Sequence, residues 1–233
     1  MKTHEINSFI EFHEIVKDFS GANFLFRGQK DYDWELIPKI GRPEFSKTVP
    51  IYFKEESIIR GWLRYSSQLL LNRPIDQWDE LTLAQHHGLA TRLLDWTKNP
   101  LVALFFASFD FNSDIDASVF ILDFKNETIK TEEYKPFEIG LSGVFFPRGI
   151  TARVINQRGV FTISHKPQVK LDKLIKDYDF IKIKVKGTAK KEIQRTLEQY
   201  GINEFSIFQD LDNLSNYLNR FVINKELGQL ERL

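Results

Sequence analysis

The chain has 233 residues, with no cysteine, one methionine, and 32 basic residues against 32 acidic ones, so its formal net charge is zero. The absence of cysteine excludes disulfides, thiolate nucleophiles and cysteine-ligated zinc or iron–sulfur centres. No apolar run approaches the roughly 18 residues of a membrane span, and the opening MKTHEINSFIEF lacks the apolar region of a secretory signal. We therefore expect a cytoplasmic protein with no membrane partner.

Apolar periodicity and capping residues predict the elements of the first half of the chain. These are a helix over residues 7–19, a strand over 23–26, a loop over 31–43, a long helix over 49–71, a helix over 76–87 ended by Gly88, and a buried helix over 101–109. Asn99 and Pro100 supply the last of these with a capping residue and a first-turn proline. Asp95 is an alternative N-cap for the same helix.

The second half is predicted to contain more strands. In order, the pattern predicts a strand over 117–124, strands over 152–155 and 160–163 around the turn 156–159, a strand over 180–186, a helix capped by Thr188 and ended by Gly201, and a last helix capped by Asp210 or Asp212. Helices and strands do not alternate strictly. This order favours an α+β fold, a single domain whose mixed or antiparallel β core is flanked by helices.

The first chemically suggestive cluster is Phe26-Arg27-Gly28-Gln29. An arginine at the end of a buried strand presents a planar fork of donors, which suits a carboxylate or a phosphate. The following glycine lets a backbone or a ligand approach closely. The alternative is a structural ion pair between Arg27 and Asp95.

The second cluster is the segment 85–97, QHHGLATRLLDWT, which combines two imidazoles, a guanidinium, a carboxylate, hydroxyls and an indole. Adjacent histidines on a helix point in different directions, so His86 and His87 face one site only if the helix has ended. The alternative is that one histidine caps the helix end. We predict no metal, because no third ligand stands at a telling spacing.

The third cluster is Asn156-Gln157-Arg158-Gly159, whose amides suit recognition of a base or a carboxamide. Its alternative is a glycine bulge with Asn156 in the turn. The sequence contains no G-x-x-x-x-G-K-[ST], G-x-S-x-G, H-E-x-x-H or G-x-G-x-x-G motif. This disfavours P-loop NTPases, α/β-hydrolases, zincins and Rossmann dehydrogenases.

Taken together, the three clusters resemble the FRG domain family. The resembling segments are Phe26-Arg27-Gly28-Gln29, Trp34-Glu35-Leu36-Ile37-Pro38, the segment 85–97 with Asn99-Pro100 and residues 103–107, Arg153 with residues 157–162, and Gly201-Ile202 with residues 208–212. The resemblance implies an N-terminal helix over 1–20, an FRG domain over 21–222 that allows a C-terminal subdomain over 166–222, and a tail over 223–233. The family name by itself implies little chemistry.

The chain also resembles, in part, the ADP-ribosyltransferases, in which an aromatic-Arg-Gly strand grips NAD. Arg27-Gly28 matches that motif. The second motif of these enzymes is a Ser-Thr-Ser strand that leads into a helix of the form P-x-x-A-x-x-F-A, and residues 91–97 followed by the helix from Pro100 to Ala107 resemble it. The third motif of these enzymes is Gln/Glu-x-Glu on a late strand, and its last residue is the catalytic glutamate. Gln157 stands where this motif begins, while Gly159 stands in place of the glutamate.

This second resemblance implies an NAD-using effector that cleaves the nicotinamide N-glycosidic bond and passes ADP-ribose to a protein or nucleic acid, in the setting of a bacterial or phage toxin or of phage defence. It implies a catalytic role for Arg27, His87, Asp95 and Gln157. The residues expected to contact NAD are Arg27, Gly28, Gln29, His86, His87, Thr91, Arg92, Trp96, Thr97 and Asn156. Trp96 is expected either to stack on the nicotinamide or to pack beneath the site.

Two other classes of function stay open. One is a non-catalytic module that binds a nucleotide or nucleic acid, since Lys182, Lys184 and Lys186 share one strand face and can meet a phosphate backbone. The bland explanation of these lysines is solubility and protection of a sheet edge. The other class is a nuclease that uses His86 and His87 as acid and base.

Overall fold

The computed structural model describes residues 1–47, 51–70, 73–111, 113–148 and 157–223, and within them the chain forms seven strands and nine helices. The strands are β1 (Lys2–Ile6), β2 (Phe24–Gln29), β3 (Leu93–Thr97), β4 (Ala117–Asp123), β5 (Gly143–Phe145), β6 (Gly159–Ile163) and β7 (Asp179–Val185). The helices are α1 (Phe9–Val16), α2 (Pro43–Ser46), α3 (Ile51–Ser66), α4 (Gln77–His86), α5 (Pro100–Ser108), α6 (Leu171–Leu174), α7 (Lys190–Gln199), α8 (Glu204–Phe208) and α9 (Leu211–Ile223). Short 3₁₀ turns over Lys39–Gly41 and Gly187–Ala189 precede α2 and α7.

The seven strands form one mixed sheet in the order β1-β7-β4-β2-β3-β6-β5. β1 and β7 pair in parallel, and every other neighbouring pair is antiparallel. This arrangement confirms the predicted α+β class. β2 and β3 share a single registered pair, Phe26 with Thr97, whereas β2 and β4 pair over the whole length of β2. We call the weakly paired β2–β3 boundary the seam.

Apolar layers cover both faces of the sheet. On one face α1, α5 and α7 bury Phe12, Phe105 and Ile193 against the strands. The predicted buried helix over 101–109 is α5, and its interior position explains why it is apolar on nearly every side. A second layer on β2, β3 and β4 includes Leu25 and Phe120. A third cluster packs α3 and α4 against β3, β5 and β6.

Local capping explains where the helices beside the seam begin and end. The amide of Asp79 donates to the side chain of Asp76 at 2.9 Å, and Gly88 follows the helix with a φ of +84°, which confirms the predicted limits of α4. Asn99 caps α5 by accepting from the amide of Leu101 at 3.0 Å. The alternative in which Asp95 is the N-cap is wrong, because Asp95 lies inside β3.

Strand β3 lies at the seam and, like β1 and β5, is not predicted by the apolar pattern. Its five residues pair with β6 from Leu93–Ile163 to Thr97–Gly159. Leu94 and Trp96 are buried in the layer on β2, β3 and β4, while Asp95 between them is exposed. The strand therefore owes its identity to a partner more than sixty residues away, which local propensity does not reveal.

The second half of the chain brings two further corrections and one decision between alternatives, and one prediction stays untested. The alternating strand over 180–186 is β7, but it lies between β1 and β4, so its lysines protect no sheet edge. Thr188 is not a helix cap, since it lies within a 3₁₀ turn and Ala189 precedes α7 without a side-chain cap. Of the two carboxylates considered for the last helix, Asp210 accepts from the amide of Asn213 at 2.7 Å. The strand predicted over 152–155 lies outside the described residues, so it stays a prediction.

Candidate functional site

A cleft of about 540 Å³ opens at the seam of the sheet. This volume lies within the range of roughly 300–1,000 Å³ that is typical of small-molecule sites. Its lining comes from β2, the end of α4, β3, α5 and the residue two positions before β6, and comprises Phe26, Arg27, Gly28, Gln85, His86, His87, Gly88, Asp95, Trp96, Thr97, Val102, Ala103, Phe106 and Gln157. The three clusters that the sequence singled out therefore meet in one place.

Arg27 bridges the seam from β2 to β3. Its Nη1 donates to the main-chain carbonyl of Asp95 at 2.6 Å and lies 3.7 Å from the Asp95 carboxylate. The Arg27 side chain is 14% exposed, and its buried Nε has no hydrogen-bond partner in the described part of the chain. Burial lowers the pKa of the guanidinium, although the nearby charge of Asp95 raises it. Part of the donor fork is thus available to a ligand in the cleft.

Asp95 is held on its other side by a short chain of hydrogen bonds. Gln85 Nε2 donates to the Asp95 carboxylate at 2.9 Å, and the hydroxyl of Thr91 donates to Gln85 Oε1. Thr91 is fully buried and also accepts from the amide of Leu93, so its hydroxyl is fixed. Because Thr91 fixes the amide of Gln85, that amide can orient an Asp95 side chain that remains 57% exposed.

Both histidines face the cleft because α4 ends between them. His86 is the last residue of the helix, and His87 follows with φ −86° and ψ 12° outside helical geometry. The centroids of the two rings lie 4.8 Å apart in an edge-to-face arrangement, and the His87 ring lies 5.8 Å from that of Trp62. Two adjacent histidines can face one site only if the helix has ended, and here it ends at His86.

Gly28 serves the packing of α5 against β2. A Cβ atom at this position would lie 1.9 Å from the carbonyl oxygen of Ala103 and 2.7 Å from the amide nitrogen of Ala107. No side chain fits in that space. The close approach that the sequence predicted for this glycine is thus to the backbone of α5, and it brings Val102, Ala103 and Phe106 to the wall of the cleft.

Gln157 reaches the cleft from the segment before β6. The hydroxyl of Thr97 donates to the main-chain carbonyl of Gln157, and Gln157 Nε2 donates to the carbonyl of Ile207 at 3.3 Å. Gly159, which stands in place of the glutamate of ADP-ribosyltransferases, begins β6 opposite Thr97. Among the lining residues that the structure describes, Asp95 is consequently the only carboxylate.

Three of the residues expected to contact NAD, namely Trp96, Gln29 and Thr91, are placed differently from the residues that line the open cleft. Trp96 is buried with its Nε1 donating to Thr162 at 3.0 Å, so it packs beneath the cleft as the second of its two expected roles requires. Gln29 and Thr91 are buried and do not line the cleft. Asn156 lies outside the described residues, so its role stays a prediction.

Arg92 is the clearest departure from the expected set of NAD contacts. Its side chain is 4% exposed and pairs with Glu55, which is 0% exposed, through an Nε–Oε2 contact of 2.5 Å. The main-chain amide of Arg92 also donates to Glu55, and Nη1 donates to the carbonyl of Pro136. Arg92 thus ties β3 to α3 inside the protein and does not reach the cleft.

The three lysines of β7 are engaged with neighbouring groups. Lys182 lies 4.0 Å from the centroid of the Tyr32 ring and donates to the Tyr32 carbonyl. Lys184 lies 2.8 Å from the Asp116 carboxylate, and Lys186 lies 3.6 Å from both Asp116 and Glu5. The carboxylates of Asp116 and Glu5 and the ring of Tyr32 therefore already contact these three lysines. These contacts disfavour the binding of a nucleic-acid phosphate backbone by the lysines.

Sequence reasoning missed two contributors to this region. Gln85 was visible as the residue before the two histidines, but only the fold shows that it holds Asp95. Phe106 was assigned to the buried helix, although it also lines the cleft.

Within the described ranges, no group of three histidine, aspartate or glutamate side chains is arranged to hold a metal ion, and no helix is both long and apolar enough to cross a membrane. Comparison with known proteins gives one result. The FRG domain model matches residues 22–114, which contain every residue of the cleft lining except Gln157. No curated protein and no solved structure matches the chain. The match confirms the resemblance to the FRG domain family for residues 22–114 of the chain.

Proposed function

We propose that this protein binds NAD in the cleft at the seam and cleaves its nicotinamide N-glycosidic bond, passing ADP-ribose to a macromolecule or to water. The observation that carries the proposal is the meeting of Arg27, the two histidines, Asp95 and Gln157 around one cavity. These residues come from three separate segments of the chain, and together they offer a cation, a carboxylate and neutral donors and acceptors.

Arg27 is the group suited to the pyrophosphate of NAD. Guanidinium–phosphate contacts are charge-assisted and are often bidentate, so they fix position as well as supply affinity. Within the described part of the chain, Arg27 Nη1 donates to the carbonyl of Asp95, while Nε has no acceptor. The placement of the side chain between two strands, at 14% exposure, shields its charge from water and strengthens its attraction for an anion.

The imidazole and amide side chains suit the sugar and the nicotinamide. The imidazoles of His86 and His87 can donate to or accept from ribose hydroxyls, and the side-chain amide of Gln157 matches a carboxamide or a hydroxyl. Trp96 closes the floor of the cleft from beneath, since its ring is buried and its Nε1 is already bonded to Thr162. Phe106 adds an apolar surface on the side of α5.

Asp95 is the group suited to the bond-breaking step. As the C1′–N bond of the ribose breaks, nicotinamide leaves with the bonding electron pair and positive charge develops on the sugar. A carboxylate aimed at that charge lowers the barrier by electrostatic stabilisation. A water molecule or a substrate hydroxyl then bonds to C1′ and releases its proton. Gln85 positions Asp95 for this role through a hydrogen bond. In this proposal Asp95 replaces the catalytic glutamate of ADP-ribosyltransferases, whose position in this chain is occupied by Gly159.

The test measures binding and turnover separately. Titration calorimetry with NAD should show binding to the wild type, and Arg27→Gln should weaken it by roughly 10- to 100-fold through loss of a charge-assisted contact. Chromatography should detect nicotinamide release, and NAD carrying a tag should label a protein or nucleic acid if a macromolecule accepts ADP-ribose. Arg195→Gln, on the exposed part of α7, is the matched control for loss of a charge. Wild-type protein that neither binds NAD nor releases nicotinamide would sink the proposal.

One observation keeps a second function in view. The His86 and His87 rings both line the cleft, with their centroids 4.8 Å apart, and two imidazoles can supply the acid and the base of RNA cleavage. Incubation of labelled RNA with the wild type and with His87→Ala separates the two functions. Cleavage that is lost in His87→Ala would favour a nuclease, while intact RNA together with nicotinamide release would favour NAD chemistry.

A further inference from the structure

Two exposed basic residues stand directly beside the wall of the cleft. Lys98 follows Thr97 at the end of β3, and Arg158 follows Gln157 immediately before β6. Thr97 and Gln157 themselves line the cleft. The amide of Lys98 donates to the carbonyl of Arg158 at 3.3 Å, and both side chains are exposed. The two side chains therefore leave the main chain at neighbouring points, one residue beyond the cleft.

Arg158 has an unusual backbone conformation. Its φ is +48°, which lies in the left-handed region that residues with a β-carbon rarely adopt, asparagine and aspartate excepted. Residues in such conformations cluster at functional sites. Packing does not account for an arginine at this position, because its side chain is exposed. The property that the position presents to solvent is therefore its positive charge.

The chain on both sides of Arg158 is basic. Residues 139–171 include five lysines and arginines and no aspartate or glutamate, although the whole chain is neutral. Arg148 in this stretch pairs with carboxylates, whereas neither Lys98 nor Arg158 forms an ion pair within the described ranges. Positive charge without local compensation attracts a polyanion such as the phosphate backbone of a nucleic acid.

An exposed aromatic ring adjoins Lys98. The Lys98 ammonium lies 4.7 Å from the centroid of the Phe146 ring, and Phe146 is 44% exposed. The buried ring of Phe124 contacts that of Phe146 edge to face, with the centroids 6.1 Å apart, and so supports it. A cation–π contact at an exposed site is weak, so the ammonium can move to a phosphate while a base stacks on the ring. Exposed aromatic rings beside cations are the means by which proteins hold single strands, whose bases are unstacked.

We propose that Lys98, Arg158 and Phe146 form a docking surface for a single-stranded nucleic acid, and that this nucleic acid is the macromolecule that accepts ADP-ribose. The two cations contact backbone phosphates and the ring stacks on a base. An acidic peptide matches the charge but offers no flat base to Phe146. The inference rests on the proposed function for the transfer alone, in which a hydroxyl or amino group of the nucleic acid bonds to C1′, nicotinamide leaves with the electron pair, and the nucleophile releases its proton to solvent.

The test compares three probes without NAD, namely labelled single-stranded RNA, the corresponding RNA duplex and an acidic peptide. Fluorescence anisotropy on the wild type should show the tightest binding for the single strand, with an affinity that falls as salt rises. The double variant Lys98→Gln, Arg158→Asn should weaken this binding by roughly 10- to 100-fold. It should also lower the slope of log affinity against log salt by about 1.4, since each phosphate contact contributes about 0.7. Asparagine tolerates the left-handed backbone at position 158, so the fold is kept.

Matched controls separate the docking surface from general effects of charge and exposed rings. Lys191→Gln with Arg195→Gln removes two exposed cations from α7 and should leave RNA affinity unchanged. Phe146→Leu should weaken the single strand by roughly tenfold and affect the duplex much less, whereas Phe205→Leu, at a residue that is also 44% exposed, should change neither.

Three results would each overturn the inference. They are absence of RNA binding at low salt, equal affinity for the peptide and the single strand, and unchanged RNA affinity in the double variant.

The outcome is distinguishable from that of the proposed function, because RNA binding is measured without NAD. RNA binding that depends on Lys98 and Arg158, without any release of nicotinamide, would uphold the docking surface and count against NAD cleavage. Nicotinamide release by a protein that binds no RNA would uphold the proposed function and overturn the docking surface. Where both hold, tagged NAD should label the RNA, and the double variant should lose more labelling than nicotinamide release.

Discussion

Arg27 Nη1 lies 2.6 Å from the carbonyl oxygen of Asp95, so a side chain joins β2 to β3 next to the one place where their backbones pair. The same guanidinium lies 3.7 Å from the carboxylate of Asp95. The main-chain carbonyl and the side-chain carboxylate of Asp95 thus both hold Arg27 in place. The carboxylate contributes mostly charge, since at this distance it makes no direct hydrogen bond.

Asp95→Asn should separate catalysis from stability. The carboxylate is largely exposed, and exposed ion pairs contribute less than about 1 kcal/mol, so the free energy of unfolding should change little. The rate of nicotinamide release should fall by about tenfold or more, because the charge that stabilises the developing cation is lost. Denaturant titration and chromatography check the two halves of the prediction. Asp212→Asn on α9 is a control, and a variant with wild-type turnover would contradict the role of Asp95.

Gly28→Ala should unfold or severely destabilise the protein. The added methyl group would lie 1.9 Å from the carbonyl oxygen of Ala103, and neither β2 nor α5 can yield without disturbing the core. We expect a loss of roughly 3 kcal/mol or more by chemical denaturation. Gly61→Ala in α3 is the matched control, because no atom of the described residues lies within 4 Å of its added Cβ. That variant should be neutral or gain up to about 1 kcal/mol, since alanine favours a helix. Equal stability of the two variants would contradict this account.

Arg92→Met should lower the free energy of unfolding and should not cause a selective loss of NAD affinity. The substitution leaves the buried carboxylate of Glu55 without its partner, which costs about 3–5 kcal/mol in comparable pairs. The double variant Glu55→Met, Arg92→Met should recover part of that stability, because it removes the unpaired charge as well. Thermal and denaturant unfolding measure both effects. A stable single variant with weakened NAD binding would restore Arg92 to the site.

Asp116→Asn should lower stability at neutral pH and lose its effect in acid. The hydrogen bond from Lys184 is the main cause that lowers the pKa of Asp116 below its ordinary value of 3.8, and the amide of Gly187 helps. A carboxyl group with a depressed pKa stabilises the fold above its unfolded pKa, and this stabilisation is lost as the pH falls through the folded pKa. The difference from wild type should be below about 1 kcal/mol at pH 7 and should disappear as the pH falls through the lowered pKa of Asp116.

Unfolding curves across that pH range provide the check. In a Lys184→Gln background the substitution of Asp116 should matter less, because the ion pair is already gone. A difference that stayed constant from neutral to acid pH would contradict this account, because it would show that the charge of Asp116 does not cause the loss of stability. The hydrogen bond from the amide of Gly187 is one that asparagine can still accept, so it should contribute little to the difference.

Changing Lys182, Lys184 and Lys186 together to glutamine should lower the thermal midpoint and leave RNA binding unchanged. Their contacts with Tyr32, Asp116 and Glu5 tie β7 to its neighbours, so the loss falls on the fold. A gel-shift assay with labelled RNA at low salt gives the second measurement. A salt-dependent shift in the wild type that the triple substitution abolishes would favour a nucleic-acid-binding module instead.

Local chemistry was enough to predict some elements beside the cleft and not others. Asp76 and Gly88 mark the ends of α4, and Asn99 with Pro100 marks the start of α5, because capping depends on residues within one turn. β3 depends on pairing with β6, and its central Asp95 interrupts the apolar run, so no local pattern identified it. The engagement of the β7 lysines was equally hidden, since Glu5, Tyr32 and Asp116 are distant in sequence.

The residues of the candidate site were likewise predictable only in part from the sequence. Residue types and the family resemblance brought Arg27, His86, His87, Asp95 and Gln157 forward, and the structure places all five around one cavity. Arg92 stood in the same dense segment but lies on the buried side of the chain, paired with Glu55. Which way a side chain points at the start of a strand depends on register, and register is fixed by partners that a single segment does not contain.

The single pair between Phe26 and Thr97 also bears on how the molecule opens. Few main-chain hydrogen bonds join the strands β1, β7, β4 and β2 to the strands β3, β6 and β5, so the two groups separate along that line at lower free energy than either group unravels. Their amide hydrogens should therefore exchange with deuterium as two cooperative units. A molecule lodged between them would slow exchange even in β5, whose residues line no part of the cleft.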